Sequence, residues 1–280
     1  METVHIMRAA LGGAESFWLA VTNLGSDFAF IVLLSLYYWL INPRGGRTVG
    51  IFFGASILVT DGLKYAFDAP RPFHLDAALA SEAAKQTAGG PGLPSGHVLV
   101  STTIWGLAAS QLRSRAFWAL TGLVIVLIAL SRVVLGVHFP LDVLVGLLVG
   151  AVLVAVGSRL PLPERDAPVW SWGVALAAVV AAAFVPVYAT ALGILAGFWL
   201  AKPSFNAPQT WPARLLFVVA GLLLVFAVYF AFRALPAEVR HLGAVHALRY
   251  VALVLTATEL VPRLLRRFTG AQEPPVMLTA

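Results

Sequence analysis

The chain has 280 residues, 60% of them hydrophobic and 11% charged, less than half the charged share of an ordinary water-soluble domain, roughly 25%. A mean hydropathy of +0.87 with Gly 24 and Pro 17 describes a bundle of membrane helices rather than a soluble globule. Cysteine is absent, which excludes disulfides, a thiolate nucleophile and Cys-ligated metal, and the net charge of +6 sits in short loops with no basic stripe interleaved with aromatics, which argues against nucleic acid.

Taken in chain order, residues 1–25 are too mixed in polarity for a span. They carry His5, Arg8, Glu15, Phe17 and Trp18, lack the pattern of a signal peptide, and read as an interfacial segment. Apolar runs follow at Asp27 to Ile41, Val49 to Phe67, Val98 to Leu112, Ala116 to Val137 and Leu141 to Val156. Further runs lie at Val169 to Val185, Val187 to Ala201, Leu215 to Phe232 and Val245 to Pro262. Val169 to Ala201 as one helix would be about 50 Å long, well over the roughly 30 Å of hydrocarbon, so it is divided at Pro186. The expected fold is an all-α polytopic transmembrane bundle of nine spans, or eight if that stretch is undivided. A membrane core over 26–158 is followed by additional spans over 159–268 and a flexible tail over 269–280.

The placement of Lys and Arg favours nine, because basic residues in short loops mark the cytoplasmic side. One side collects Arg44, Arg47, Arg113, Arg115, Arg159, Arg165, Lys202, Arg214, Arg263, Arg266 and Arg267. The expected topology therefore has the N-terminus outside and the C-terminus in the cytoplasm. The Arg-over-Lys, Ala/Leu/Val-rich composition suits a bacterial plasma membrane. Tyr37, Tyr38, Trp39, Trp170 and Trp172 fit interfacial aromatic belts.

With the cytoplasmic charges set aside, Lys64, Arg71, Ser95, His97, Arg132, His138 and Asp142 fall at the outer ends of helices, on one membrane face. Ionisable groups beside lipid are costly unless paired or facing a cavity, so their convergence is a functional signal. Three cations suit a multiply charged oxyanion, which Arg grips through two parallel hydrogen bonds. Pro94-Ser95-Gly96-His97 opens a helix, with Ser95 as N-cap and Gly96 permitting close backbone approach. His138 and Asp142 are four residues apart around Pro140, so the carboxylate can hold one imidazole nitrogen and turn the other outward. That arrangement suits nucleophilic attack on phosphorus, with His97 protonating the leaving oxygen. The blander readings are a helix–helix hydrogen bond for a lone His and a snorkelling side chain for a lone Arg. Asp61 reads as a partner of Lys64, Glu259 as a partner of Arg263, and Asp27 as part of a helix start; His74, Asp76, Glu82 and Lys85 read as solvated. His241 and His246 have no evident partners.

These residues resemble the type 2 phosphatidic acid phosphatase superfamily. Lys64 to Pro72 is similar to its K-x6-R-P motif, Pro94 to His97 to P-S-G-H, and Ser131-Arg132 to Asp142 to S-R-x5-H-x3-D. The resemblance implies that Lys64, Arg71 and Arg132 bind phosphate, helped by Ser95 and Gly96. It further implies that His97 is the general acid, His138 the nucleophile and Asp142 its orienting carboxylate. The implied activity is hydrolysis of a lipid phosphate monoester or diphosphate through a phosphohistidine, without metal or cofactor, at the outer membrane face. Membrane lipids are the expected surroundings and nucleic acid is not an expected partner. Nine spans with an outside N-terminus also look like the glucose-6-phosphatase and sphingosine-1-phosphate phosphatase branch. Two alternatives stand: a phosphatase of soluble sugar phosphates, and a non-catalytic membrane protein that binds or transports anions or lipids.

Overall fold

The structure is a computed structural model, described here for residues 1–160, 169–203 and 205–269. The expectations for Arg165, for the Arg267 side chain and for the tail beyond Thr269 lie outside the described residues.

Every regular element among the described residues is helical. In chain order these are α1 (Glu2–Leu11), α2 (Glu15–Asn23), α3 (Asp27–Leu40), α4 (Pro43–Phe67), α5 (Pro72–Leu75), α6 (Glu82–Gln86), α7 (Gly96–Leu112) and α8 (Arg115–Val134). There follow α9 (Pro140–Gly157), α10 (Val169–Phe184), α11 (Ala189–Leu200), α12 (Trp211–Arg233), α13 (Ala237–Arg240), α14 (Gly243–Leu255) and α15 (Val261–Thr269). Five segments are long and apolar enough to cross a membrane: Pro43–Leu75, Arg115–Val134, Pro140–Gly157, Trp211–Arg233 and Gly243–Arg266. A sixth arises if Glu2–Asn23 and Asp27–Leu40, bent by 44°, make one span. The difference from nine is one of length, since α3, α7, α10 and α11 have 14, 17, 16 and 12 residues. The division expected at Pro186 is present: α10 ends at Phe184 and a 3₁₀ turn, Pro186–Tyr188, leads into α11.

Two compact units divide the chain, one of Met1–Phe30 with Ala55–Pro161, the other of Ile31–Gly54 with the described residues beyond Leu162. In the first, α7 and α9 meet through glycines. A Cβ on Gly146 would lie 2.8 Å from the Ser95 carbonyl oxygen, and one on Gly150 2.7 Å from Thr102 Cβ. The small-x-x-x-small spacing lets two membrane helices approach at backbone distance, where dispersion contacts replace the hydrophobic drive that lipid does not supply. Gly136, at φ +70, sits against the Leu79 carbonyl where no side chain fits. The N-terminal segment packs on this unit: Val4 is buried with Leu79 and Val133, and Trp18 with Ala80, Ala84 and Val134. Trp18 Nε1 donates to the Leu11 carbonyl at 3.0 Å, and the Ser81 hydroxyl bonds Glu15.

In the second unit, α14 passes through a π-turn, Thr256–Leu260, into α15. A π-turn shifts the carbonyl pattern, and here the carbonyls accept from aromatic donors: Trp39 Nε1 to Ala257 at 2.7 Å and Tyr38 Oη to Thr258 at 3.4 Å. Tyr38 and Trp39 are therefore interior, at 1% and 0% exposure, rather than belt residues. Their polar tips find partners inside the protein, which removes the need for the interface. Trp170 and Trp172 are exposed as expected. Arg47, read as a loop cation, lies within α4 and is buried, donating to the Phe198 carbonyl at 3.2 Å. Glu259 pairs with Arg263 at 2.7 Å as expected.

Candidate active site

The site is assembled in the first unit from the end of α4, the loop between α5 and α7, the start of α7, the end of α8 and the start of α9. Pro140 is the first residue of α9, where its fixed φ and missing N–H suit a helix start. Asp142 follows in the first turn, and its Oδ2 accepts from the Phe139 backbone N–H at 2.9 Å and faces His138 Nδ1 at 3.1 Å. One oxygen thus caps the helix and holds the imidazole. The Asp142 carbonyl accepts from Ser95 N at 2.9 Å, which ties the mouth of α7 to α9.

The other face of the His138 ring meets Arg71, whose Nη1 lies 3.0 Å from Nε2. Arg71 is nearly buried, and backbone carbonyls hold it: Val137 at 2.9 Å, Gly90 at 2.8 Å and Gly89 at 2.7 Å. The long loop therefore works as a carbonyl collar for a guanidinium. Lys64 donates to the next carbonyl of that collar, Pro91. Arg132, fully buried, donates from Nη1 to Thr22 Oγ1 at 2.6 Å and Thr87 Oγ1 at 2.9 Å, and its Nε has no partner among the described residues. Burial, then the Arg71, Arg132 and Lys64 charges, holds the His138 imidazole well below the ordinary histidine value of 6.5, so the ring is neutral at physiological pH.

Lys64, Arg71, Gly96, His97, Arg132 and His138 all line one cavity of about 520 Å³. Asp142 stands behind His138. Ser95 occupies the N-cap position of α7, but its hydroxyl makes no capping bond, is fully buried without a partner among the described residues, and does not line the cavity. The residues missed by sequence reasoning are Thr22 and Thr87, which fix Arg132. Thr87 lies in the loop between α6 and α7 and Thr22 at the end of α2, and neither stands beside a motif in the sequence. Asp61 and Asp27, set aside as structural, also line the cavity, and Asp61 interacts with Lys64 through charge while the ammonium donates to Pro91. Among the described residues no group of three or more His, Asp or Glu is placed to hold a metal ion.

Comparison with known proteins gives the family. Residues 45–166 match the model of the PAP2 superfamily, and residues 185–273 match the transmembrane extension of PAP2 superfamily phosphatases. Glucose-6-phosphatase 3 of Bos taurus is 32% identical over 50% of this chain and 46% of its own length; the Homo sapiens protein is 30% identical over 51% and 47%. The match thus spans just under half of those two relatives. Undecaprenyl-diphosphatase of Sulfolobus acidocaldarius is 32% identical over 51% of this chain and 67% of its own length. No solved structure matches the chain. With its three motifs gathered on one cavity and its apolar helices continuing into the extension, the chain is an integral membrane protein that belongs to the PAP2 superfamily of membrane phosphatases.

Proposed function

We propose that this protein is a metal-independent phosphomonoesterase acting on a lipid phosphate at the outer face of the membrane. The observation that carries the reading is the ordered line of Asp142, His138 and Arg71 at the wall of a cavity that also holds Lys64, Arg132 and His97. In this reading the phosphoryl oxygens replace the carbonyl collar as partners of Arg71 and Lys64, and Arg132 joins from the side of Thr22 and Thr87. His138 Nε2 attacks phosphorus, the ester oxygen leaves with a proton from His97, and water then hydrolyses the phosphohistidine. Asp142 keeps the proton on Nδ1 and stabilises the imidazolium formed during attack. The Gly96 backbone offers a helix-start N–H to the same oxyanion, while Ser95 supports the α7 mouth through its backbone bond to Asp142.

In this reading α3, α7, α10 and α11 cross the membrane together with the five long segments, and nine crossings with the basic loops inside would set the cavity outside and the C-terminus in the cytoplasm; the apolar length of the five long segments and the placement of Lys and Arg support it. A lipid phosphate suits a cavity lined by residues at helix ends, the level at which a headgroup would lie. A soluble sugar phosphate is the second reading, favoured by the similarity to glucose-6-phosphatases.

A phosphate-release panel tests this: phosphatidic, lysophosphatidic and sphingoid phosphates, phosphatidylglycerophosphate, polyprenyl diphosphate and glucose 6-phosphate, with purified protein in detergent and in bilayers. Release that disappears in His138→Ala is the expected result. Full turnover by that variant would remove the nucleophile, and no release from any ester would remove the phosphatase reading.

A further inference from the structure

The cavity has a feature that phosphate binding does not use. Asp61 lies one helical turn before Lys64, half-buried, with its carboxylate on the cavity wall. The Lys64 ammonium acts on that carboxylate through charge alone, while its hydrogen bond goes to the Pro91 carbonyl. The neighbouring hydroxyls are engaged elsewhere: Thr60 donates to the Ser56 carbonyl at 2.7 Å and Ser26 to the Asn23 carbonyl at 2.7 Å. No hydrogen bond or salt bridge reaches the Asp61 carboxylate from any described residue. Asp27 lines the same cavity.

An ionised carboxylate only accepts hydrogen bonds, and at membrane depth it is costly without a donor. Next to a phosphoryl site its charge also repels the phosphate oxygens. A ligand that fits the cavity must therefore bring donors of its own to this wall. We propose that Asp61 receives a hydroxyl or ammonium group on the leaving alcohol, so that the substrate is a phosphate monoester with a second polar donor close to its ester oxygen. This assignment rests on the phosphomonoesterase reading and narrows it. Glycerol-type headgroups, sphingoid bases and sugars carry such donors. Phosphatidic acid offers only ester carbonyls there, and a polyprenyl diphosphate offers a second anion, so both are disfavoured. Asp61 is a specificity residue that touches the leaving group.

Two matched pairs test the assignment and separate its sources. Lysophosphatidic acid is compared with the acyl-propanediol phosphate that lacks only its free hydroxyl, in mixed micelles, and glucose 6-phosphate is compared with hexyl phosphate in solution. Unaltered protein is expected to prefer the donor-bearing member of one pair by about tenfold to a hundredfold in kcat/KM, the span of a charge-assisted hydrogen bond. The pair that shows the preference identifies a lipid or a sugar as the source. Asp61→Ala is expected to bring that ratio to within about twofold by slowing the donor-bearing substrate, with Asp61→Asn in between, while inhibition by vanadate stays within about threefold in both variants. A ratio near one in both pairs, or a ratio that Asp61→Ala leaves unchanged, would overturn the leaving-group assignment alone. Loss of vanadate inhibition in both variants would also overturn it, by making Asp61 part of the phosphate cradle. No hydrolysis of any of the four esters by the unaltered protein would take the phosphatase reading down as well.

Discussion

Arg71 Nη1 stands 3.0 Å from His138 Nε2, while Asp142 Oδ2 faces the opposite ring nitrogen at 3.1 Å. A guanidinium can only donate, so Nε2 is the acceptor and the proton resides on Nδ1. The two charged neighbours thus select one neutral tautomer, with its lone pair turned to the Arg71 guanidinium. In the proposed mechanism Arg71 caps the nucleophile until substrate binds, and the same N–H groups then serve the phosphoryl oxygens.

Asp142→Asn is expected to keep the fold and the tautomer and to lose the carboxylate charge. An amide turned to preserve the Phe139 cap still meets Nδ1, but it no longer stabilises an imidazolium. A fall in kcat of about 10² to 10⁴ follows from the comparable change in a Ser-His-Asp triad. Single-turnover phosphate release checks this, and an unchanged kcat would show that the carboxylate has no chemical role.

Arg71→Lys is expected to fail as a replacement. Arg71 serves several carbonyls and a ring nitrogen at once through a planar fork, which a single ammonium cannot reproduce. The expected loss is at least about tenfold in kcat/KM with weaker vanadate inhibition. A fully active lysine variant would mean that charge alone suffices.

The pH profile carries a sign. Protonation removes the Nε2 lone pair, so activity falls as pH drops through the His138 pKa, which burial and the three cations depress below 6.5. Lys64→Met and Arg71→Ala each remove a repelling charge, so the pKa rises and the acid limb of kcat/KM moves to higher pH. The second ionisation of a phosphate ester, near 6, is common to all variants and cancels in the comparison. An acid limb that moves downward in both variants would contradict the assignment of the limb to His138.

Thr87→Val is expected to loosen Arg132 without touching the reacting atoms. The guanidinium loses the Thr87 hydroxyl at 2.9 Å but keeps Thr22 and the Thr87 carbonyl at 3.0 Å. Removing one hydrogen bond to a charged group costs about 1.5–3 kcal/mol, which should appear as a KM about ten- to a hundredfold higher. An effect confined to kcat would place Arg132 in the transition state alone.

Gly146→Ala is expected to destabilise the α7–α9 pair, because the added Cβ meets the Ser95 carbonyl at 2.8 Å, and backbone cannot yield as a side-chain end would. Overpacking of this kind costs about 1–3 kcal/mol. A lower thermal midpoint in detergent, with lower kcat as His97 and Asp142 move apart, would confirm it; an unaltered midpoint would show that the helices separate freely.

Much of the site was legible because its chemistry is local. The His138-to-Asp142 spacing across Pro140 fixes a capped imidazole within one helix start, and the structure has that bond. Asp61 was legible only in part. Sequence adjacency to Lys64 suggests a pair, and the two charges do interact, but the ammonium gives its hydrogen bond to Pro91, 27 residues away. Tyr38 and Trp39 were misplaced in a lipid-facing belt because their partners, the π-turn carbonyls, lie about 220 positions further on.

By itself the sequence determined the solvent, the helical class, the order of the three motifs and the short-range geometry of the His138 and Asp142 pair. These depend on composition, on the 3.6-residue period and on hydrogen bonds that close within one turn. Only the tertiary structure decided that loop carbonyls hold Arg71 and Lys64, that Thr22 and Thr87 hold Arg132, and that Asp61 turns into the cavity. Those contacts join segments far apart in the chain, where the partner of a buried charge is set by which helices pack together and by no pattern that a single segment carries.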